Sequence, residues 1–460
     1  MESKHKFLFV FLLLLALSVR LLFIDAKSLH ADEPFSHVVS KNSFGELLKP
    51  FDYTWPSGYY VVLHFWGSFS SGFVWARFLS VLFGFFSLLA LYCYSKRFFG
   101  EKTALTVLAL ASFSWIHIFY SQELRAYTII LFLSIVSFFS FFLAAKQNQK
   151  KQWVVFGLAS FAGVFISYFQ LVVLLVCAAY FALFARNKKN ALVFSAVFLV
   201  SLLIALPWFG FSLEFMLQKA RLESEYLKIY PAPIFAVAAI FPAFSSGNPA
   251  FPFAFFSLPI VLFALFLFFK RIRADIDKFV AFCFFAPLVV VVPFVSQSSF
   301  FETRHYFFLF GFFAIMVAKG LWEIKQRRIV FLLLGMLVFA NLFQVWGTAD
   351  FLMNSEKTWK SLAGCVDRNI GGNDVVVLFT HGNAHGFNYY FSRRNASTSS
   401  KLESLKTTLQ KHAPQRVWVF YSDEMRFFDE NSSALKFLES NSVSVPCYKF
   451  FVIGAGNKQQ

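Results

Sequence analysis

Runs of Phe, Leu, Val, Ala and Ile, broken at near-regular distances by short polar stretches, fill most of the chain. Each run approaches the roughly twenty residues an α-helix needs to cross a hydrocarbon layer about 30 Å thick. The pattern predicts eleven transmembrane helices, at 7–24, 74–94, 103–119, 126–145, 153–168, 170–185, 191–210, 253–269, 279–296, 306–322 and 329–346. Beyond 347 the pattern changes. Three short apolar runs, Asp374-Val-Val-Val-Leu-Phe379, Arg416-Val-Trp-Val-Phe-Tyr421 and Cys447-Tyr-Lys-Phe-Phe-Val-Ile453, alternate with polar, helix-compatible stretches. That rhythm predicts strands between helices. The expected fold class is therefore an α-helical polytopic membrane protein of about eleven transmembrane helices, 1–346, followed by a small extracytoplasmic α/β domain, 347–460.

Composition supports this reading: 58% of the 460 residues are hydrophobic, only 15% are charged, and Phe alone accounts for 70. Disordered, collagen-like and coiled-coil chains are excluded. The formal charge of +17 raises the question of a nucleic-acid partner. The placement of the basic residues answers it. Nineteen of them sit at one set of alternating connectors: Lys4/Lys6, Lys96/Arg97/Lys102, Lys146/Lys150/Lys151, Arg186/Lys188/Lys189, Lys270/Arg271/Arg273/Lys278 and Lys319/Lys325/Arg327/Arg328. Only five acids, Glu2, Glu101, Asp275, Asp277 and Glu323, accompany them. The positive-inside rule makes these connectors cytoplasmic, so topology accounts for the charge and no nucleic acid is expected.

An uncleaved first helix puts the N-terminus in the cytoplasm, and eleven crossings put the C-terminus outside. Three large pieces then face the outer side: 25–58, 211–252 and the tail. Cys93, Cys177 and Cys283 fall in apolar spans, where a thiol is a small filler. Cys365 and Cys447 fall in the exported tail, where a disulfide is permitted, although spacing alone does not establish it. No CxxC or HExxH pattern occurs, and the pair His381 and His385 lies in a Gly/Asn-rich loop that predicts no metal site.

The spans themselves are poor in ionisable residues, unlike those of a proton pump or transporter. Candidate chemistry concentrates at their outer ends. The first large loop opens with Asp32-Glu33-Pro34, which reads both as the capped start of an interfacial helix running to about Leu48 and as a pair of carboxylates available for acid–base work. The turn after the third span carries Tyr120-Ser-Gln122-Glu123-Leu-Arg125-Ala-Tyr127, more polarity than a tight turn requires. A third cluster, Glu302-Thr-Arg304-His305-Tyr306, precedes a late span. Tyr53, Trp55, Tyr59 and Tyr60 follow the acidic pair and suit an interfacial aromatic belt.

Taken in order, these features resemble the GT-C class of membrane glycosyltransferases that use polyprenyl-phosphate sugars, including the protein O-mannosyltransferases and the lipid A aminoarabinose transferases. The resemblance spans roughly residues 10–320. It rests on Asp32-Glu33 after the first span, Trp55-Pro-Ser-Gly-Tyr-Tyr60 leading to His64 and Trp66, Trp75-Ala-Arg77-Phe at the second span, Tyr120-Ser-Gln-Glu-Leu-Arg-Ala-Tyr127, and Arg304-His-Tyr306. Where many members carry a His-Pro-Pro-Leu-Tyr type stretch, this chain has Trp55-Pro56-Ser57-Gly58-Tyr59.

The resemblance implies an inverting transfer of a sugar from a polyprenyl-phosphate donor to an acceptor hydroxyl on the outer leaflet. Asp32 is then the candidate base, with Glu33 positioning it or the acceptor. Arg125 and Arg304 are candidates for the departing lipid phosphate, with Gln122 and Glu123 supporting Arg125, and Tyr127 and His305 nearby. Tyr53, Trp55, Tyr59 and Tyr60 are candidate sugar contacts. The partners implied are the donor lipid, surrounding membrane lipids and a lipid, polysaccharide or protein acceptor of the cell envelope. No obligatory cofactor is expected, although Asp32 and Glu33 offer oxygens to a divalent metal. The loop 211–252 reads as a lid or acceptor surface by its length and prolines, and the expected location is a bacterial inner membrane. Two other classes compete: a flippase for lipid-linked glycans, which would not depend on Asp32, and a receptor whose tail alone binds a partner.

Overall fold

The structure is a computed structural model. It describes residues 3–29, 32–49, 55–184, 188–222, 238–247, 254–295, 303–355, 358–379, 385–391, 396–413, 415–422 and 432–453. The chain divides into two compact units, one made of 1–25 with 39–347 and the other of 26–38 with 348–460.

The first unit is helical. Its elements are α1 (Ser3–Leu21), α2 (Asp32–Val39), which it shares with the second unit, α3 (Phe44–Leu47), α4 (Gly58–Gly67), α5 (Phe73–Phe113), α6 (Trp115–Ser121), α7 (Tyr127–Gln147), α8 (Lys150–Ile166), α9 (Phe169–Phe184), α10 (Lys188–Leu222), α11 (Ile240–Ser246), α12 (Ala254–Lys270) and α13 (Asp275–Val295). A 3₁₀ turn, Thr303–Leu309, then leads into α14 (Phe310–Trp322) and α15 (Arg327–Asn354). The predicted apolar segments fall largely on helix. Five described stretches are long and apolar enough to cross a membrane, Phe73–Phe113, Tyr127–Gln147, Lys189–Phe211, Thr303–Trp322 and Arg327–Phe351, and Phe169–Phe184 and Phe256–Lys270 are shorter apolar helices. Large apolar side chains such as Phe7, Leu192, Phe331 and Phe339 are exposed on these helices. Water would penalise that arrangement, whereas lipid does not. The protein is a multi-pass membrane protein.

Several helix boundaries differ from the sequence expectation, among them the span expected at 103–119, which breaks at Ser114. The connector expected between 94 and 103 narrows to a sharp turn at Gly100, whose φ of +84° is a left-handed value that L side chains rarely adopt. Lys96 and Glu101 pair beside it at 2.8 Å. The interfacial helix expected from Asp32 to about Leu48 stops at Val39, and a separate turn starts at Ser43. There the Glu46 carboxylate accepts from the Ser43 amide at 3.0 Å and hydroxyl at 2.8 Å. The Ser43 hydroxyl and amide hold the Glu46 carboxyl below its usual range. A capping box of this kind starts a new helix and so interrupts the longer one.

The second unit contains a sheet of mixed direction. After α16 (Trp359–Asn369) come β1 (Val375–Phe379), α17 (His385–Tyr390), β2 (Ser397–Ser399), α18 (Leu402–Lys411), β3 (Val417–Tyr421), α19 (Ser433–Asn441), β4 (Val443–Ser444) and β5 (Phe450–Ile453). The strand order is β2-β1-β3-β5-β4, with β1 parallel to β2 and β3, and β5 antiparallel to β3 and β4. All three expected strands form. Helices cover both faces, which is why β1, β3 and β5 are apolar almost throughout. Leu362, Val366 and Phe387 pack with Trp418, Phe420 and Phe450 on one face, and Leu405, Ala434 and Leu438 pack with Val377, Val419 and Tyr421 on the other. Cys365 and Cys447 are disulfide-bonded, with Cα atoms 5.7 Å apart.

Candidate active site

The turn 122–126 joins α6 to α7, and its backbone is held from several sides. The Arg125 amide donates to the Glu123 carbonyl at 2.8 Å, which tightens the turn. Ser80 on α5 donates its hydroxyl to the Arg125 carbonyl at 3.3 Å, and Thr128 donates to the Ser80 carbonyl at 3.0 Å. Glu123 and Arg125 are both buried. Gln122 turns toward α1, where its amide donates to the carbonyls of Leu22 at 2.7 Å and Arg20 at 3.1 Å. These are among the last carbonyls of the helix, which lack intrahelical partners.

The same corner contains a buried polar chain absent from the sequence expectations. Arg20 is fully buried and donates to the carbonyls of Ala16, Ser112 and Ala111 and to His117 Nδ1. A guanidinium has no acceptor, so Nδ1 of His117 must accept and its proton must sit on Nε2. Nε2 then donates to Ser87 at 2.9 Å, and Ser87 donates to the Gly84 carbonyl at 2.6 Å. Arg77 is likewise buried and donates to the Ile24 carbonyl at 2.6 Å. The sequence signal for both was available: an arginine inside or at the edge of an apolar helix requires buried acceptors.

Beside the turn lies a narrow, partly open cleft lined by Trp55, Tyr59, Tyr60, Arg125, Ala126, Tyr127 and Ile166. Tyr59 and Tyr60 enter it from the first turn of α4, which approaches α8 so closely that a Cβ on Gly58 would lie 2.2 Å from the Phe165 carbonyl oxygen. Trp55 joins the separate sequence clusters. Its ring lies 6.5 Å from Tyr127, 5.7 Å from Phe169 and 6.2 Å from His305. His305 stacks on Phe169 at 5.6 Å. The structure thus brings together Trp55, Tyr59, Tyr60, Arg125, Tyr127 and His305, residues drawn from three stretches far apart in the chain. Arg304 is half-buried next to His305 and is not among the residues lining the cleft.

An arginine among aromatic faces suits a ligand that carries an anionic group next to a sugar ring, since the guanidinium pairs with phosphate oxygens and the rings stack on the CH faces. Asp32 and Glu33 belong to the second unit. They open α2, Asp32 half-buried and Glu33 fully buried, with the Ser36 hydroxyl donating to the Asp32 carbonyl at 3.1 Å. Among the described residues no three His, Cys, Asp or Glu side chains gather as a metal-holding group. Tyr53, Glu302 and His381 lie outside the described residues.

A family model described as dolichyl-phosphate-mannose-protein mannosyltransferase matches residues 56–211. Among solved structures, ArnT from Cupriavidus metallidurans in the apo state superposes with a TM-score of 0.64 at 11% identity, covering 98% of each chain. The same protein bound to undecaprenyl phosphate gives 0.62 at 12% identity, covering 96% of this chain and 97% of that one. The fold is of the GT-C type. The Archaeoglobus fulgidus oligosaccharyltransferase, another GT-C glycosyltransferase, gives 0.58 at 11% identity over 91% of this chain and 70% of its own. No curated protein matches the chain significantly. Within the GT-C fold, the stretch matched by the family model runs from α4 into α10 and so contains Tyr59, Tyr60, Arg125 and Tyr127, while Asp32 and Arg304 lie outside it.

Proposed function

We propose that the protein is an inverting glycosyltransferase that moves a sugar from a polyprenyl-phosphate donor to an acceptor hydroxyl at the outer face of the membrane. The observation that carries this reading is the cleft in which Arg125 stands among Trp55, Tyr59, Tyr60 and Tyr127 within a GT-C-type fold. The long polyprenyl tail, each buried CH₂ of which favours an apolar environment by about 0.8 kcal/mol, gives a physical reason for such an enzyme to reside in lipid.

In the proposed reaction the acceptor oxygen attacks the anomeric carbon as the bond from that carbon to the phosphate oxygen breaks. The acceptor proton passes to Asp32, and the lipid leaves as polyprenyl phosphate. Arg125 stabilises the charge growing on the phosphate, an effect strengthened by the low polarity around it. Arg304 serves the same phosphate, a role that rests on its place in the sequence beside His305. Trp55, Tyr59 and Tyr60 stack on the sugar, and Glu33 orients Asp32 or the acceptor. Asp32 is assigned as base because it is the acid that follows the first span in the order the resemblance implies. Two adjacent acids supply few oxygens for a divalent ion, so transfer that continues in the presence of a chelator is the expected outcome.

The reading places the N-terminus in the cytoplasm and the tail outside a bacterial inner membrane, with a glycolipid, polysaccharide or protein as acceptor. Mass spectrometry of envelope glycolipids and glycoproteins tests it, using cells lacking the protein, cells carrying wild type and cells carrying Asp32→Asn at equal membrane levels. One saccharide unit that vanishes, returns with wild type and stays absent with Asp32→Asn supports both the transfer and the base. Full rescue by Asp32→Asn together with accumulation of intact lipid-linked precursor in the deletion indicates a flippase instead.

A further inference from the structure

The acidic segment is divided from its neighbours in sequence. Residues 26–38 cluster with the tail, in the unit that also contains 348–460. Two hydrogen bonds belong to this attachment. The Leu29 amide donates to the Tyr390 hydroxyl at 3.0 Å, and the Lys360 amide donates to the Ser28 hydroxyl at 3.4 Å. Lys27, Ser28 and Leu29 are all buried. The bonded residues lie a few positions ahead of Asp32, in irregular backbone.

The tail groups that make these bonds are themselves anchored. Tyr390 ends α17, whose Phe387 is fully buried against Phe450 and Trp359. Asn388 on the same helix is bonded twice to Ala396, accepting from its amide at 2.7 Å and donating to its carbonyl at 3.4 Å. Lys360 lies in the first turn of α16, which is fixed by Leu362, Ala363 and Val366 in the sheet core and by the disulfide at Cys365. A backbone amide without a regular partner is held wherever its acceptor is held. Here that acceptor is a phenol on a short helix locked to the tail.

We propose that the tail is a scaffold for the acidic segment and that Tyr390 is a positioning residue for Asp32, acting through the Leu29 amide. This inference rests on Asp32 being the base. A base displaced by a fraction of an ångström from the acceptor proton loses rate without losing donor affinity, because reactivity depends steeply on approach geometry. The tail's contribution is then to turnover, and an acceptor-binding function is not needed to explain its presence.

The test uses the full-length protein in lipid nanodiscs and the variants Tyr390→Phe, Ser28→Ala and Asp32→Asn. Hydrogen exchange across 22–40 is followed by mass spectrometry together with transfer kinetics from a polyprenyl-phosphate sugar. Loss of one hydrogen bond is worth about a fivefold change in an opening equilibrium. Tyr390→Phe is expected to speed exchange around Leu29 about fivefold and to lower kcat by about fivefold or more, while the donor KM stays within about twofold. A general loss of stability would lower the apparent kcat through loss of active protein but would also raise exchange throughout the tail, and the confinement of the faster exchange to the region of Leu29 separates local positioning from it. Wild-type exchange and kcat in Tyr390→Phe, with Asp32→Asn inactive, overturns the inference and leaves the proposed reaction standing. Full transfer by Asp32→Asn removes the base, and the inference with it, whatever Tyr390→Phe does. If Tyr390→Phe does not fold, Ser28→Ala removes the other bond and is judged by the same two readouts.

Discussion

Arg20 on α1 donates a 2.9 Å hydrogen bond to Nδ1 of His117 on α6, joining two residues 97 positions apart in the interior of the helical unit. The same guanidinium binds the Ser112 and Ala111 carbonyls at the end of α5, where the helix breaks at Ser114 before α6 begins. Gln122 then returns from the far end of α6 to the carbonyls closing α1. The two arms fix α6 from both ends, and the Arg125 turn continues directly from it.

Replacing Arg20 by Met keeps an unbranched chain as far as the position of Nε, removes the donors, and strands three buried acceptors, the Ala111 and Ser112 carbonyls and His117 Nδ1. Each acceptor left without a donor costs about 1–3 kcal/mol, so a loss of at least about 3 kcal/mol is expected. Thermal unfolding in detergent measures it. Arg20→Lys recovers only part of the loss, because an ammonium lacks the planar fork that serves several acceptors at once.

Arg125→Ala is expected to lower kcat by about 10²–10³-fold, the usual consequence of deleting one donor aimed at developing negative charge. Arg125→Lys keeps the charge and loses the fork, and an intermediate rate is expected. Steady-state transfer from a polyprenyl-phosphate sugar separates the two variants.

Gly58→Ala tests the aromatic wall without touching its rings. The new methyl would meet the backbone oxygen of Phe165, which cannot rotate away as a side chain would. Overpacking of this kind costs about 1–3 kcal/mol, and the relief available is a shift of α4 away from α8, carrying Tyr59 and Tyr60 with it. A raised donor KM is the expected kinetic result.

Asp374 gives the tail a pH signature. Burial alone would raise its carboxyl, but the Trp418 indole at 2.9 Å, the Gly371 amide at 2.9 Å and the Arg416 guanidinium at 3.0 Å outweigh burial and hold it below the usual range. The unfolded chain takes up this proton near pH 4, the folded tail only at lower pH. The stabilisation is therefore complete above about pH 4 and is lost as pH falls through the folded value. Hydrogen-exchange protection of β1 and β3 should differ between wild type and Asp374→Asn by a constant amount near neutrality, and the difference should shrink below about pH 4.

Periodicity disclosed the helices and the three main strands because each buries enough apolar surface to leave a run in the sequence. It did not disclose β2 and β4, whose residues Ser397–Ser399 and Val443–Ser444 are short edges with no apolar run. For the site, composition at helix ends pointed to Arg125, Tyr127, Trp55 and His305, since polar groups are costly at the end of a membrane span unless they have partners. What could not be read was their convergence, which depends on Trp55 reaching both Tyr127 and His305 across the bundle. Nor did the sequence disclose that Gln122 caps α1, because an amide serves any nearby carbonyl and nothing local specifies which.

The bonds from Ser28 and Leu29 to the tail span 332 and 361 positions of chain. A ribosome adding roughly 5–20 residues per second needs between about a quarter of a minute and a little over a minute to cover that distance. For that interval the segment carrying Asp32 has emerged while Lys360 and Tyr390 do not yet exist. Cys447, which closes the disulfide on α16, arrives later still. The order of synthesis therefore acts as a timer: the acids are made near the start, and the parts that hold their segment are made last, so a truncated or unfinished chain carries the carboxylates without their mounting.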